Sequence, residues 1–116
     1  VLLMEWVCIA PAVAALDWNE RNLCVVDAFG KKLTLARFKD QVFATSYTCP
    51  HAGGIMSNGY IDAVGNIVCP LHRYKFSLEK GRNVSGEGYH LKTYPVKIDE
   101  NGVWVGQEKP RFFNWK

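Results

Sequence analysis

Apolar and polar positions along the 116-residue chain fall into short strand-length runs separated by turn residues. Leu33 and Leu35, with Arg37 continuing the series, alternate with Lys32, Thr34 and Ala36. That period of two predicts a strand with one buried face. Residues 5–10, 23–29 and 41–47 are rich in β-branched and aromatic side chains and read as strands. Gly30-Lys31 suits a hairpin turn into residues 32–37, and Phe38-Lys39-Asp40 turns the chain again. In the second half, residues 59–63 and 66–69 pair around Val64-Gly65, and residues 76–78 continue as a strand that ends at Glu79-Lys80-Gly81. Residues 91–98 and 102–105 then pair across Asp99-Glu100-Asn101. Residues 11–22 read as a turn or short helical link, and no segment keeps a helical period for ten residues. The pattern predicts an all-β fold, a small sandwich or partly open barrel, with residues 1–116 as a single domain.

Composition narrows the function classes. Hydrophobic residues at 48% and charged residues at 22% describe an ordinary soluble globular protein. The net charge of +3 is mild, and Lys and Arg are scattered, so nucleic acid is not an expected partner. Residues 1–16 are apolar apart from Glu5. Glu5 and Pro11 interrupt them, no basic residue precedes them, and they fall short of the roughly 20 apolar residues a membrane helix needs. They read as a first strand, with no membrane anchor. Cys8 and Cys24 sit in apolar runs and read as buried, reduced side chains, which favours a reducing, cytoplasmic compartment.

The chemistry concentrates in residues 49–76. Cys49-Pro50-His51 offers one thiolate and one imidazole, and so does Cys69-Pro70-Leu71-His72, across a glycine-rich interval at 52–68. Two Cys and two His on two loops suit a tetrahedral zinc ion or a two-iron, two-sulfur cluster with both His on one iron. Zinc sites usually group Cys with Cys and His with His, whereas each box here mixes the two. Gly53 and Gly54 suit a loop that folds tightly over a cluster and offers backbone N–H donors to it.

The stretch CPHAGG…CPLHRYKF resembles a Rieske [2Fe-2S] domain, and the flanking strands extend that resemblance over nearly the whole chain. The resemblance implies one [2Fe-2S] cluster in loops at about 46–78, inserted in a β base. It implies Cys49 and Cys69 on the inner iron, and His51 and His72 on the outer iron near the surface. It further implies a soluble ferredoxin that shuttles single electrons from a flavoprotein reductase to a terminal oxidoreductase, such as a ring-hydroxylating dioxygenase. Such a carrier has no substrate turnover of its own. Replacing two thiolates by neutral imidazoles removes negative charge from the centre, so adding an electron is easier. Because imidazoles titrate, electron uptake is expected to couple to proton uptake at His51 or His72.

Departures from the family refine these expectations. Rieske proteins of cytochrome bc complexes carry an extra Cys in each loop, forming a disulfide, and a Ser and a Tyr in the second loop that hydrogen-bond the centre. The matching positions here read Gly54, Leu71, Tyr74 and Phe76, so the disulfide and both hydroxyls are missing from those places. A low potential, about −150 mV to 0, follows. Arg73 stands where related ferredoxins often have Gly, and Gly86-Glu87-Gly88-Tyr89-His90 replaces a proline-containing covering loop. Arg73 and Lys75 read as solvated charges or as a basic docking rim. His90 has no Cys neighbour and reads as an ordinary surface residue. Asn83-Val84-Ser85 reads as a chance glycosylation sequon, and residues 109–116, with Phe112, Phe113 and Trp115, as a lid packed onto the fold. Two other readings remain at this level: the small subunit of a nitrite-reductase-like enzyme, and a structural zinc module for protein interaction.

Overall fold

In the computed structural model, which describes residues 2–110, these runs become strands β1 (Leu2–Ala10), β2 (Leu23–Ala28), β3 (Lys31–Phe38), β4 (Gln41–Ser46) and β5 (Tyr60–Ile61). The chain continues with β6 (Asn66–Val68), β7 (Lys75–Ser77), β8 (Thr93–Tyr94), β9 (Val96–Asp99) and β10 (Gly102–Pro110). Every pairing is antiparallel. An outer sheet has the order β1-β10-β9, a central sheet β2-β3-β4-β8, and a small sheet β5-β6-β7. None closes on itself, so the all-β sandwich expectation holds. Short 3₁₀ turns at Val13–Ala15 and Met56–Asn58 are the helical elements among the described residues, and no helix there is long and apolar enough to cross a membrane.

Two apolar clusters sandwich the central sheet. Leu23 and Ala36, a cross-strand pair, join Met56, Ile67, Phe76 and Leu91 on the side that carries the small sheet. Cys24 and Leu35, the next pair, join Leu33, Ala44, Tyr94 and Val105 on the other. Strand β3 is therefore covered on both faces: Leu33, Thr34, Leu35 and Ala36 are all fully buried. This corrects the expectation of one buried face. Alternation between apolar and small or hydroxyl residues looks like a half-exposed strand, but Thr34 and Ala36 are compact enough to pack beneath the cluster-side core.

Other boundaries shift for local reasons. The run at 91–98 is two strands in two sheets, because Pro95 has no N–H to donate to a ladder. Its carbonyl instead accepts from Gly106 N–H at 2.9 Å, which ties β8 to the outer sheet. The first strand starts earlier than expected, at Leu2, and pairs with β10 along its length, with a bulge between Cys8 and Ala10. Cys24 is a buried free thiol as expected, whereas Cys8, on the edge strand of the outer sheet, is free but exposed. Of the expected lid at 109–116, Lys109 and Pro110 belong to β10, and residues 111–116 lie outside the described residues.

Thr34 Oγ1 is buried without a hydrogen-bond partner. Leaving such a group unpaired costs about 1–3 kcal/mol. Replacing Thr34→Val keeps the shape and removes the unpaired hydroxyl, so chemical denaturation is expected to show a gain of about 1 kcal/mol. A loss of stability would mean that the hydroxyl is satisfied in solution.

Candidate metal centre

Backbone hydrogen bonds close both ligand loops at their roots. The first leaves β4 at Ser46; Cys49 N–H donates to Gly54 O at 2.7 Å, and Met56 N–H to Tyr47 O at 2.9 Å. Gly53, with φ of 75°, takes the left-handed turn at no steric cost, and its N–H donates to Cys49 O at 3.1 Å. That donor is committed within the loop, which corrects the expectation that Gly53 offers its N–H to a cluster. The second loop follows β6 directly, and Cys69 N–H donates to Tyr74 O at 2.9 Å. His72 and Arg73 occupy the left-handed region at φ of 61° and 58°.

These closures bring all four predicted side chains to one tip. Cys49 is 3% exposed and Cys69 fully buried, whereas His51 is half-buried and His72 exposed. The two imidazole rings lie 5.3 Å apart, tilted by 59°. Burial, and then the neighbouring Cys49 thiol, push the Cys69 pKa up. At neutral pH Cys69 holds its proton, which a metal must displace on binding. Gly54 sits against this pair: a Cβ there would lie 2.9 Å from Cys69 Sγ and 3.0 Å from Leu71 Cγ. The two positions where a disulfide was expected to be missing are thus neighbours, filled by a bare Cα and an apolar side chain.

The donor set fits an iron–sulfur centre. His51 Nδ1 is buried and has no hydrogen-bond partner, an orphan state that a metal bond would relieve. Its Nε2 lies 3.4 Å from Tyr74 Oη, and the two rings stack 4.2 Å apart at 23°. Among the described residues no three His, Cys, Asp or Glu side chains converge as ligands to a single ion. A pair of buried thiols and a pair of less buried imidazoles instead match two metal ions with different donors.

The Rieske [2Fe-2S] domain profile matches residues 5–95. The chain belongs to the Rieske [2Fe-2S] domain family. That family carries one [2Fe-2S] cluster. The naphthalene 1,2-dioxygenase ferredoxin component of Pseudomonas putida is 32% identical over 105 residues, covering 90% of this chain and 97% of that one. A solved complex of reduced oxygenase and oxidised ferredoxin in carbazole 1,9a-dioxygenase contains a chain 28% identical, with a TM-score of 0.74, covering 91% of this chain and 97% of that one. The nitrite reductase large subunit of Klebsiella oxytoca is 26% identical over 85% of this chain but 12% of its own length.

The surroundings of the Rieske tip were only partly visible in the sequence. The Tyr74 hydroxyl, expected to be out of place for the role of the high-potential proteins, lies 3.4 Å from His51 Nε2. Of the two charges expected in a rim, Lys75 lies with its Nζ 4.0 Å from Asp62 Oδ2, whereas Arg73 makes no ion pair among the described residues. Asn83 is tied into its own turn: its Nδ2 lies within hydrogen-bond distance of Lys75 O, Ser85 Oγ and Glu87 Oε1, and its Oδ1 accepts from Glu87 N–H and Gly88 N–H. It shapes the segment that sets Tyr89 against His51, with ring centroids 5.2 Å apart. His90 is exposed, as expected, and its backbone pairs with Arg82. No local spacing rule could have found Tyr74 and Tyr89, because their contacts with His51 cross between loops.

Arg73 in the left-handed region carries about 1–2 kcal/mol of strain, partly offset in a glycine variant by the larger freedom of its unfolded chain. Arg73→Gly is therefore expected to stabilise the metal-free protein by about 0.5–1 kcal/mol in chemical denaturation. A lower midpoint would show that the arginine is unstrained.

Proposed function

We propose that this chain is a soluble, cytoplasmic one-electron carrier, a Rieske ferredoxin that takes electrons from a flavoprotein reductase and passes them to a terminal oxygenase such as a ring-hydroxylating dioxygenase. The observation that carries this reading is the polarity of the tip: thiols at the bottom, imidazoles at the top. Cys49 and Cys69 would hold the inner iron, and His51 and His72 the outer one, within a single domain of residues 1–116. When bound, the cluster supplies reversible one-electron storage.

The residues do the rest. Burial of Cys49 and Cys69 among Met56, Ile67 and Phe76 keeps water from the thiolates. The loop-root hydrogen bonds fix donor positions, so little rearrangement accompanies a change of charge. The exposed His72 ring gives a partner a short path to the centre, and no bond between the proteins needs to form. Similarity to ferredoxin components of dioxygenase systems supports the choice of partners. Free thiols at Cys8 and Cys24 agree with a reducing compartment.

A second reading, a domain of a nitrite-reductase-like enzyme, rests on the Klebsiella oxytoca similarity. Co-purification with a larger nitrite-reducing subunit would favour it.

The test is a reductive titration of the cluster-loaded protein. A midpoint between about −150 mV and 0 is expected, since the Ser and Tyr positions of the high-potential proteins read Tyr74 and Phe76 here. A midpoint near the top of the family range, about +300 mV, would contradict the low-potential assignment. Cys69→Ser is expected to abolish the redox wave together with bound iron.

A further inference from the structure

His51 and His72 are equivalent in the ligand pattern but not in their surroundings. His72 is exposed, and its ring centroid lies 6.3 Å from that of Tyr74. His51 is half-buried, stacked face to face with Tyr74 at 4.2 Å, and flanked on another side by Tyr89 at 5.2 Å. Tyr74 and Tyr89 themselves lie 6.0 Å apart in a near-parallel arrangement, so the three rings form one aromatic group. Both tyrosines are held from outside the contact. The Tyr74 carbonyl closes the second ligand loop by accepting from Cys69 N–H. Tyr89 ends a segment whose turn is fixed by Asn83 and by Glu87, which accepts from Ser85 Oγ–H.

The hydroxyl adds a direction to the stacking. With the buried Nδ1 committed to iron, a neutral imidazole carries its proton on Nε2. Tyr74 Oη, 3.4 Å from Nε2, is then an oxygen within reach of that N–H. A ligating imidazole that donates its outer N–H to an oxygen becomes more basic towards the metal and is fixed in ring orientation. His72 has no such partner among the described residues. Resting on the carrier reading above, we propose that Tyr74 is a positioning residue that acts through His51: its ring and hydroxyl orient that imidazole and lower the reduction potential, making the two histidines electronically inequivalent. The phenol therefore works from the opposite ligand to the one whose loop it belongs to. Tyr89 supplies packing only, since its hydroxyl makes no hydrogen bond among the described residues.

The test uses cluster-loaded wild type, Tyr74→Phe, Tyr74→Leu and, as a control, Tyr89→Phe. Midpoint potential, thermal stability and the nitrogen hyperfine couplings of the reduced protein are read on each. In Tyr74→Phe the midpoint is expected to rise and one of two distinct imidazole couplings to move, while the other coupling and the melting temperature stay at wild-type values. Tyr74→Leu, which also loses the stack, is expected to move the same coupling further. Tyr89→Phe is expected to leave midpoint and couplings unchanged. An unmoved or lowered midpoint in Tyr74→Phe overturns the proposal, as does a change in both couplings or in neither. A wild type with no reversible one-electron wave would instead contradict the carrier reading itself, so the two failures are distinguishable.

Discussion

The centre depends on two backbone hydrogen bonds, from Cys49 N–H to Gly54 O and from Cys69 N–H to Tyr74 O. Each bond closes a loop of about one tight turn and fixes a cysteine at its root and a histidine near its crest. Without them, four flexible donors on two loops would need to be ordered at the moment of metal binding, at about 1–2 kcal/mol of backbone entropy per residue. The sheets serve this closure. Strand β4 delivers the first loop, β6 and β7 deliver the second, and the shared core of Met56, Ile67 and Phe76 holds the two roots together.

Burial and exposure then divide the labour. The thiols lie in the apolar layer, where burial raises the Cys69 pKa; a metal stabilises the thiolate form that the layer alone opposes. The imidazoles lie outside that layer, His51 under an aromatic cover and His72 in the open. One gradient from apolar to exposed thus protects the sulfur ligands and leaves a route for the electron. The donor set sets the scale of the potential through charge, and contacts to the ligands adjust it within that scale.

Much of this was legible in the chain. The two mixed Cys and His boxes identified the family and marked out a candidate ligand set, and the short alternating runs identified an all-β architecture. What the sequence hid is long-range. Thr34 and Ala36 looked like solvent-facing positions because nothing local reports that a second core covers their face of β3. Pro95 sits in a run of strand-like residues, and only the handover of β8 and β9 to different sheets shows why it is there. Tyr74 read as a lost hydroxyl because the comparison with high-potential proteins looks within one loop, whereas its partner, His51, is in the other.

The measurement that bears most directly on the account is iron and acid-labile sulfide analysis of the purified protein, combined with its electron paramagnetic resonance spectrum after reduction. Two irons and two sulfides per chain are expected, with a reduced signal of the low average g value of mixed histidine and thiolate ligation. A colourless protein that holds zinc and no sulfide would contradict it, and would make the two boxes a structural metal clasp.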